Sequence, residues 1–263
     1  MAILQIDNSI FVQYHKHYST KPHAPTIIFH HGFMSDMNGS KALYLQEFCQ
    51  QRDYNFIRFD NLGCGQSSGI FHEQNISSWV YAANQVLLKL AHNPEDTHLH
   101  GPVILVGSSA GAWVAALSAL QNSSLVQGLV TIAAAFDFTE DLLWAKLAPA
   151  DKEHLIENGT IMFQGDDPAC RDSYPVSYQL IEDGRKYFLL RSKIALTCPV
   201  HLIHGVQDHE VPYATSLKAM ELIAHDEVAM KLINNAGHSL SRPQDLHMIG
   251  NSIEEQLKLI MQV

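Results

Sequence analysis

The run Val103-Ile-Leu-Val-Gly107 is apolar and β-branched, and it passes through Gly107-Ser-Ser-Ala-Gly111 into an Ala-rich segment that continues to Leu120. This pattern predicts a buried strand, a sharp turn and a helix. Such a turn needs glycines two residues either side of its serine, because strand and helix backbones pass close there and a side chain would clash. Ser109 is thereby expected on a strained corner beside the N–H groups of a helix start, the position of a nucleophile. Ser108 is the same residue type, but it falls one place early and is expected to point into the sheet.

A chain of 263 residues with 46% hydrophobic content can bury one substantial core, and a single domain over 1–263 is expected. The formal charge of -10, with no Lys/Arg-rich block to neutralise phosphates, argues against a nucleic-acid partner. Cys49, Cys64, Cys170 and Cys198 are scattered without C-x-x-C spacing, which suits reduced thiols rather than a disulfide frame or zinc site. Cys64, between Gly63 and Gly65, is the cysteine expected to be accessible. The histidine pairs His15/His17, His30/His31 and His98/His100 are not completed by a carboxylate or cysteine cluster, so neither metal nor cofactor is expected. The glycine-rich loop at 60–69 opens no helix with G-x-G-x-x-G and carries no Walker lysine. The N-terminus shows no signal-peptide or transit-peptide pattern, and no run of about 18 apolar residues occurs, so no membrane span and cytoplasmic residence are expected.

Along the chain, residues 2–7 and 9–18 read as an edge hairpin, and 26–30 as a buried strand ending in His31-Gly32-Phe33. A helix over 38–51, with Leu43, Leu45, Phe48 and Cys49 on or near one face, precedes a strand at 54–59. Helices are expected at 76–91 and 109–120, strands at 103–108 and 125–135, then strands at 200–204 and 228–234 alternating with helices at 213–224 and 243–262. That alternation implies a mostly parallel sheet of roughly eight strands with helices on both faces, an α/β architecture. The rhythm weakens at 138–192, where short helices at 138–148 and 151–157 and an irregular stretch from 166 are expected. This excursion is too long for a simple connection and reads as a small helical lid.

Serine is a weak nucleophile at neutral pH, so it needs a base in reach, an acid to hold that base's tautomer, and donors for a developing oxyanion. His238, in Asn235-Ala-Gly-His-Ser-Leu, follows the last strand, and Asp208, in His204-Gly-Val-Gln-Asp-His-Glu-Val-Pro212, follows the strand before it. Loops after parallel strands open on one edge of the sheet, so Ser109, Asp208 and His238 should converge. Gly32 should let the Phe33 N–H turn toward the oxyanion, with the Ala110 N–H as second donor. Asp137 also ends a strand and is an alternative acid, with Glu210 a third. His31 is expected to bond locally, and His204, His209 and His225 are read as having no chemistry.

These motifs resemble the α/β-hydrolase superfamily, in which the triad runs Ser, Asp, His along the chain. Phe33-Met-Ser-Asp-Met-Asn-Gly-Ser-Lys-Ala42, Ile57-Arg-Phe-Asp60, Ile104-Leu-Val-Gly-Ser-Ser109, Tyr174-Pro-Val-Ser-Tyr-Gln-Leu-Ile181 and Cys198-Pro-Val-His-Leu-Ile-His-Gly205 are similar to the abhydrolase branch of mitochondrial acyl-protein thioesterases. Members of that branch remove S-acyl groups such as palmitoyl from cysteines and cleave acyl-glucuronide esters. The resemblance runs from Pro25 through nearly the whole chain. It implies a small-molecule or protein-linked acyl substrate, with Ser109 as nucleophile, Asp208 as acid and His238 as base. A carboxylesterase or serine peptidase with the same residues, or a catalytically silent binding protein of the same fold, are the alternatives. Phe138, Leu142, Leu143 and Trp144 form a broad apolar surface at helical spacing and are the expected acyl-binding residues.

Overall fold

The computed structural model describes residues 1–92, 99–164 and 173–261. His98, Cys170 and the stretch at 166–169 lie outside them. An eight-stranded sheet is formed by β1 (Ala2–Gln5), β2 (Phe11–His17), β3 (Thr26–His30), β4 (Asn55–Phe59), β5 (Val103–Ser108), β6 (Val126–Ile132), β9 (Val200–Gly205) and β10 (Val228–Ile233). Their order across the sheet is β1-β2-β4-β3-β5-β6-β9-β10. β1 and β2 run antiparallel to their neighbours, and every pairing from β4 through β10 is parallel. β3, β4, β5 and β9 are buried along their whole length, which is why they read as continuous apolar runs rather than alternating ones.

Helices cover both faces. On one, α2 (Ile76–Val86) and α3 (Ala110–Gln121) pack with Ile28, Phe59, Leu105 and Leu202; on the other, α1 (Ser40–Arg52) and α7 (Pro243–Met261) pack with Ile27, Phe56, Ile104 and Val130. A further helix, α6 (Ala214–Leu222), joins β9 to β10. α2 begins with a capping box, Asn75 accepting from the Ser78 N–H and Ser78 Oγ from the Asn75 N–H, which fixes where the chain leaves the glycine-rich loop. The expected continuous helix at 76–91 instead widens into a π-helical turn at Leu87–Ala91. Two further expectations are corrected. Leu43 faces outward, 47% exposed, while Ala42 and Leu45 take the buried side of α1. Cys64 is buried, 7% exposed, and burial pushes its thiol up to about 12, so it is not a reactive surface thiol.

The segment between β6 and β9 carries more structure than its pattern suggested. It contains a π turn at Thr139–Leu143, a 3₁₀ turn at Trp144–Lys146, α4 (Pro149–Asn158), a hairpin of β7 (Thr160–Gln164) and β8 (Ser173–Ser177), and α5 (Tyr178–Gly184). The hairpin escaped the sequence pattern because Pro175 sits inside β8, and proline demotes a run as a strand candidate. The helix expected over 138–148 is two unlike turns, and with this change of pitch Trp144 lies half-buried against the core. There its ring meets Tyr178, with centroids 6.0 Å apart, and the Arg185 guanidinium at 5.0 Å. The segment is tied down at both stems. Asp137 accepts the Leu189 and Leu190 N–H groups at 2.8 and 2.9 Å, and Asp183 accepts the Ser77 N–H at 2.7 Å.

Candidate active site

The register of the sheet builds the site. β3 pairs with β5 so that His30 lies opposite Gly107, which sets the loop 31–33 against the turn at Ser109. β6 separates β5 from β9, and β10 flanks β9, so the loops holding Asp208 and His238 leave the same edge. Ser109 sits at φ 55, ψ -125, a left-handed strained conformation expected of a nucleophile held between strand and helix. The two flanking glycines are required by close backbone approach. A Cβ on Gly107 would lie 2.5 Å from the Ala112 Cα, and one on Gly111 would lie 2.3 Å from the His31 carbonyl oxygen.

A continuous hydrogen-bonded line runs through the three side chains. His238 Nδ1–H donates to Asp208 Oδ2 at 2.8 Å, which leaves Nε2 to accept from Ser109 Oγ–H at 3.0 Å. Asp208 is saturated with donors: Oδ1 accepts the Glu210 and Val211 N–H groups at 3.0 and 2.8 Å, and Oδ2 accepts a second imidazole, His204 Nε2–H, at 3.1 Å. Burial alone would raise its pKa. The hydrogen bonds from His204 and His238, the charge of His238 and the Val211 N–H outweigh that and hold the carboxyl well below the usual carboxylate range.

His204 is the residue that sequence reasoning missed. It is fully buried, not a strand-end bystander, and its Nδ1 accepts from Ser216 Oγ at 2.7 Å while Nε2–H is shared between Asp208 and the Val211 carbonyl. The signal available was the spacing of His204 to Asp208, which lets a residue at the end of a strand reach a carboxylate in the loop that follows. Replacing His204 with alanine removes a partner from three buried groups, Ser216 Oγ, Asp208 Oδ2 and the Val211 carbonyl. The variant should lose roughly 1–3 kcal/mol of stability, read as a drop in Tm by calorimetry.

The remaining candidates fall as follows. Phe33 and Ala110 line the same cleft as Ser109, and Ala110 opens α3, where a helix leaves its N–H without an internal acceptor. A Cβ on Gly32 would come 3.2 Å from the Ser109 Cβ, so that loop packs directly on Ser109. His31 bonds locally, Nδ1–H donating to the Gly32 carbonyl at 2.8 Å and Nε2 accepting the Asn61 N–H at 2.9 Å. Asp137 is spent on Leu189 and Leu190, with Arg191 3.3 Å away, and does not reach His238. Ser108 is buried at the end of β5.

A cleft of about 540 Å³ opens over Ser109, within the range of small-molecule sites. Phe138, Leu142, Leu143, Phe163 and Tyr174 of the inserted segment contribute apolar lining, and Ser35, Asp36, Lys41, Lys146 and Glu210 contribute polar lining. Trp144, expected there, is not among the lining residues, for the change of pitch described above. Phe33 anchors the loop after β3 among Phe71, Trp79, Phe138 and Tyr174, at centroid distances of 4.9, 5.9, 5.4 and 5.5 Å.

A mostly parallel eight-stranded sheet with a strained serine at a strand–helix corner defines an α/β-hydrolase. The chain belongs to the family Hydrolase_4, serine aminopeptidase, S33, whose model matches residues 21–183. It is 31% identical to the bovine mitochondrial palmitoyl-protein thioesterase ABHD10 over 89% of this chain and 74% of that protein. Among solved structures, a hydrolase from Agrobacterium vitis S4 superposes with a TM-score of 0.87 at 32% identity, covering 98% of this chain and 97% of that one. Mouse ABHD10 superposes with a TM-score of 0.85 at 28% identity, covering 98% of each chain. The protein is therefore a hydrolase of the serine-hydrolase type related to the ABHD10 thioesterases. Among the described residues, no helix is long and apolar enough to cross a membrane.

Proposed function

We propose that this protein hydrolyses acyl thioesters or carboxylic esters through Ser109, His238 and Asp208, with a covalent acyl-enzyme between two half-reactions. Most support comes from the line Ser109 Oγ–His238 Nε2–Asp208, at 3.0 and 2.8 Å. His238 takes the Ser109 proton as Oγ attacks the carbonyl, and Asp208 stabilises the resulting imidazolium without itself becoming protonated. The Phe33 and Ala110 N–H groups hold the oxyanion, and one such donor is typically worth about 10²- to 10³-fold in rate. The carbon–sulfur or carbon–oxygen bond to the leaving group breaks, and water then releases the acid from Ser109.

The chain acts as one domain, with the segment 138–192 as a lid whose Phe138, Leu142 and Leu143 receive the acyl chain. The palmitoyl-protein thioesterase relatives and the apolar lining of the cleft favour a fatty acyl group. The buried, free Cys49, Cys64 and Cys198 suit a reducing compartment such as the cytoplasm. Each acyl methylene buried should contribute about 0.8 kcal/mol at best, so kcat/KM should rise severalfold for every pair of carbons until the cleft is full. Thioesters from about two to about sixteen carbons, kept below micelle formation, provide the measurement. A profile falling from the shortest chain onward would favour a small-ester hydrolase and remove the acyl-site role. The family description names a serine aminopeptidase, which supports peptidase activity as a second reading. Matched thioester, ester and anilide substrates separate the two, with anilide turnover dominant only in the second.

A further inference from the structure

We propose that Glu210 is a catalytic residue of the second half-reaction, in which it orients the water that hydrolyses the acyl-enzyme; this rests on Ser109 being the nucleophile. Glu210 Oε2 lies 3.6 Å from His238 Nε2, the nitrogen that also faces Ser109 Oγ at 3.0 Å. Its backbone is fixed by the triad itself, because the Glu210 N–H donates to Asp208 Oδ1 at 3.0 Å while Asp208 Oδ2 accepts from His238. One carboxylate thus sets the position of both the base and a second carboxylate beside it. Glu210 lines the cleft with its side chain 41% exposed, so solvent water reaches it.

The two half-reactions ask different things of this corner. In the first, the attacking group is Ser109 Oγ, whose single proton goes to Nε2. In the second, it is a water with two protons. One passes to His238 Nε2 as the water oxygen bonds to the acyl carbon; the other stays on that oxygen, and Glu210 accepts its hydrogen bond. The tetrahedral adduct then collapses, the carbon–Oγ bond breaks, the imidazolium returns its proton to Ser109, and the acid leaves. A water bonded at about 2.8 Å to both Nε2 and Oε2, with a tetrahedral angle between them, holds those atoms about 4.5 Å apart. The observed 3.6 Å reaches that separation by a small turn of an exposed side chain. Lys41 stands nearby: its ammonium donates to the Ser239 carbonyl, burial lowers its pKa to about 8, and Asp245 and Glu210 oppose that fall.

A carboxylate that merely steadies the imidazolium would act alike on both half-reactions and on any acyl acceptor. An orienting carboxylate matters only when the acceptor has a second proton to place. Methanol has one O–H, so it distinguishes the two roles. The experiment runs wild type, Glu210→Ala and Glu210→Gln with one thioester in dilute methanol, following the burst of thiol release and the ratio of methyl ester to free acid. For Glu210→Ala, hydrolysis of the acyl-enzyme should slow about tenfold, the worth of one hydrogen bond of about 1.4 kcal/mol, and the methyl ester fraction should rise in step. The burst should persist with a rate within about twofold of wild type, and Glu210→Gln, which keeps an acceptor oxygen, should recover most of the hydrolysis. Equal slowing of burst, hydrolysis and methanolysis would overturn the proposal and leave Glu210 as an electrostatic neighbour of His238. An unchanged product ratio would also overturn it. A wild type that forms neither burst nor methyl ester would instead fail at Ser109, which is how the two readings are told apart.

Discussion

Ser109→Ala is expected to lower kcat on an acyl thioester by about 10⁴- to 10⁶-fold, leaving only the acceleration that binding and the oxyanion donors supply. The size follows from the chemistry. Without Oγ there is no covalent intermediate, and water must attack a carbonyl from a corner shaped to hold a serine at φ 55. The fold should survive, because among the described residues Ser109 Oγ is bonded only to the partly exposed His238, while the backbone of the turn is held by the Ser109 N–H on the Ile132 carbonyl at 2.8 Å. Unchanged circular dichroism with lost turnover is the expected pair of observations. Ser108→Ala is the control: its position at the buried end of β5 predicts altered packing rather than lost chemistry.

Asp208→Asn is expected to reduce kcat by about 10⁴-fold with far less effect on substrate affinity. The amide presents an N–H where His238 Nδ1–H now donates, so the imidazole either turns or adopts the tautomer that cannot take the serine proton. Asp137→Asn should leave kcat within about threefold of wild type, because Asp137 is engaged with the backbone at Leu189 and Leu190 instead of an imidazole. A reversed ranking in steady-state kinetics would move the acid to the loop after β6. The two carboxyls should also differ in the acid range. The Asp208 pKa is depressed in the folded chain, so its contribution to stability is complete above its unfolded value of about 3.9 and is lost as the pH falls through the lower folded value. The Asp137 pKa is raised, chiefly by burial, so its ionisation costs stability as the pH rises through that raised value.

Much of this was legible because each residue of the proposed triad sits where a strand ends, and a strand end is visible as the point where an apolar run stops. Ser109, Asp208 and His238 each follow such a run, and parallel pairing carries the loops to one edge without further information. What was not legible depends on contacts across the chain. His204 looks like any polar residue at the end of β9 until the loop folds back and sets Asp208 and Ser216 around its ring. Cys64 looks accessible because glycines flank it, but the loop after β3, Trp79 of α2 and the start of α3 gather around that turn, and burial raises its thiol pKa. The inserted segment defeated periodicity because it uses a π turn, a 3₁₀ turn and a proline-bearing hairpin, none of which has the spacing of an α-helix or an alternating strand. One regular helix over 138–148 would bring Trp144 to the acyl site, but with the change of pitch its ring packs beside Tyr178 and Arg185, outside the cleft lining.

The central claim is a covalent acyl-enzyme on Ser109, and it is tested most directly by rapid acid quench of the wild-type protein during turnover of a long-chain thioester, followed by intact-mass and peptide-mapping mass spectrometry. The expected result is a mass increase of one acyl group, appearing within the thiol burst, confined to the peptide containing Ser109 and absent from Ser109→Ala. Full turnover with no acylated protein at any quench time, or an acyl group mapped to Ser108 or a cysteine, would contradict it.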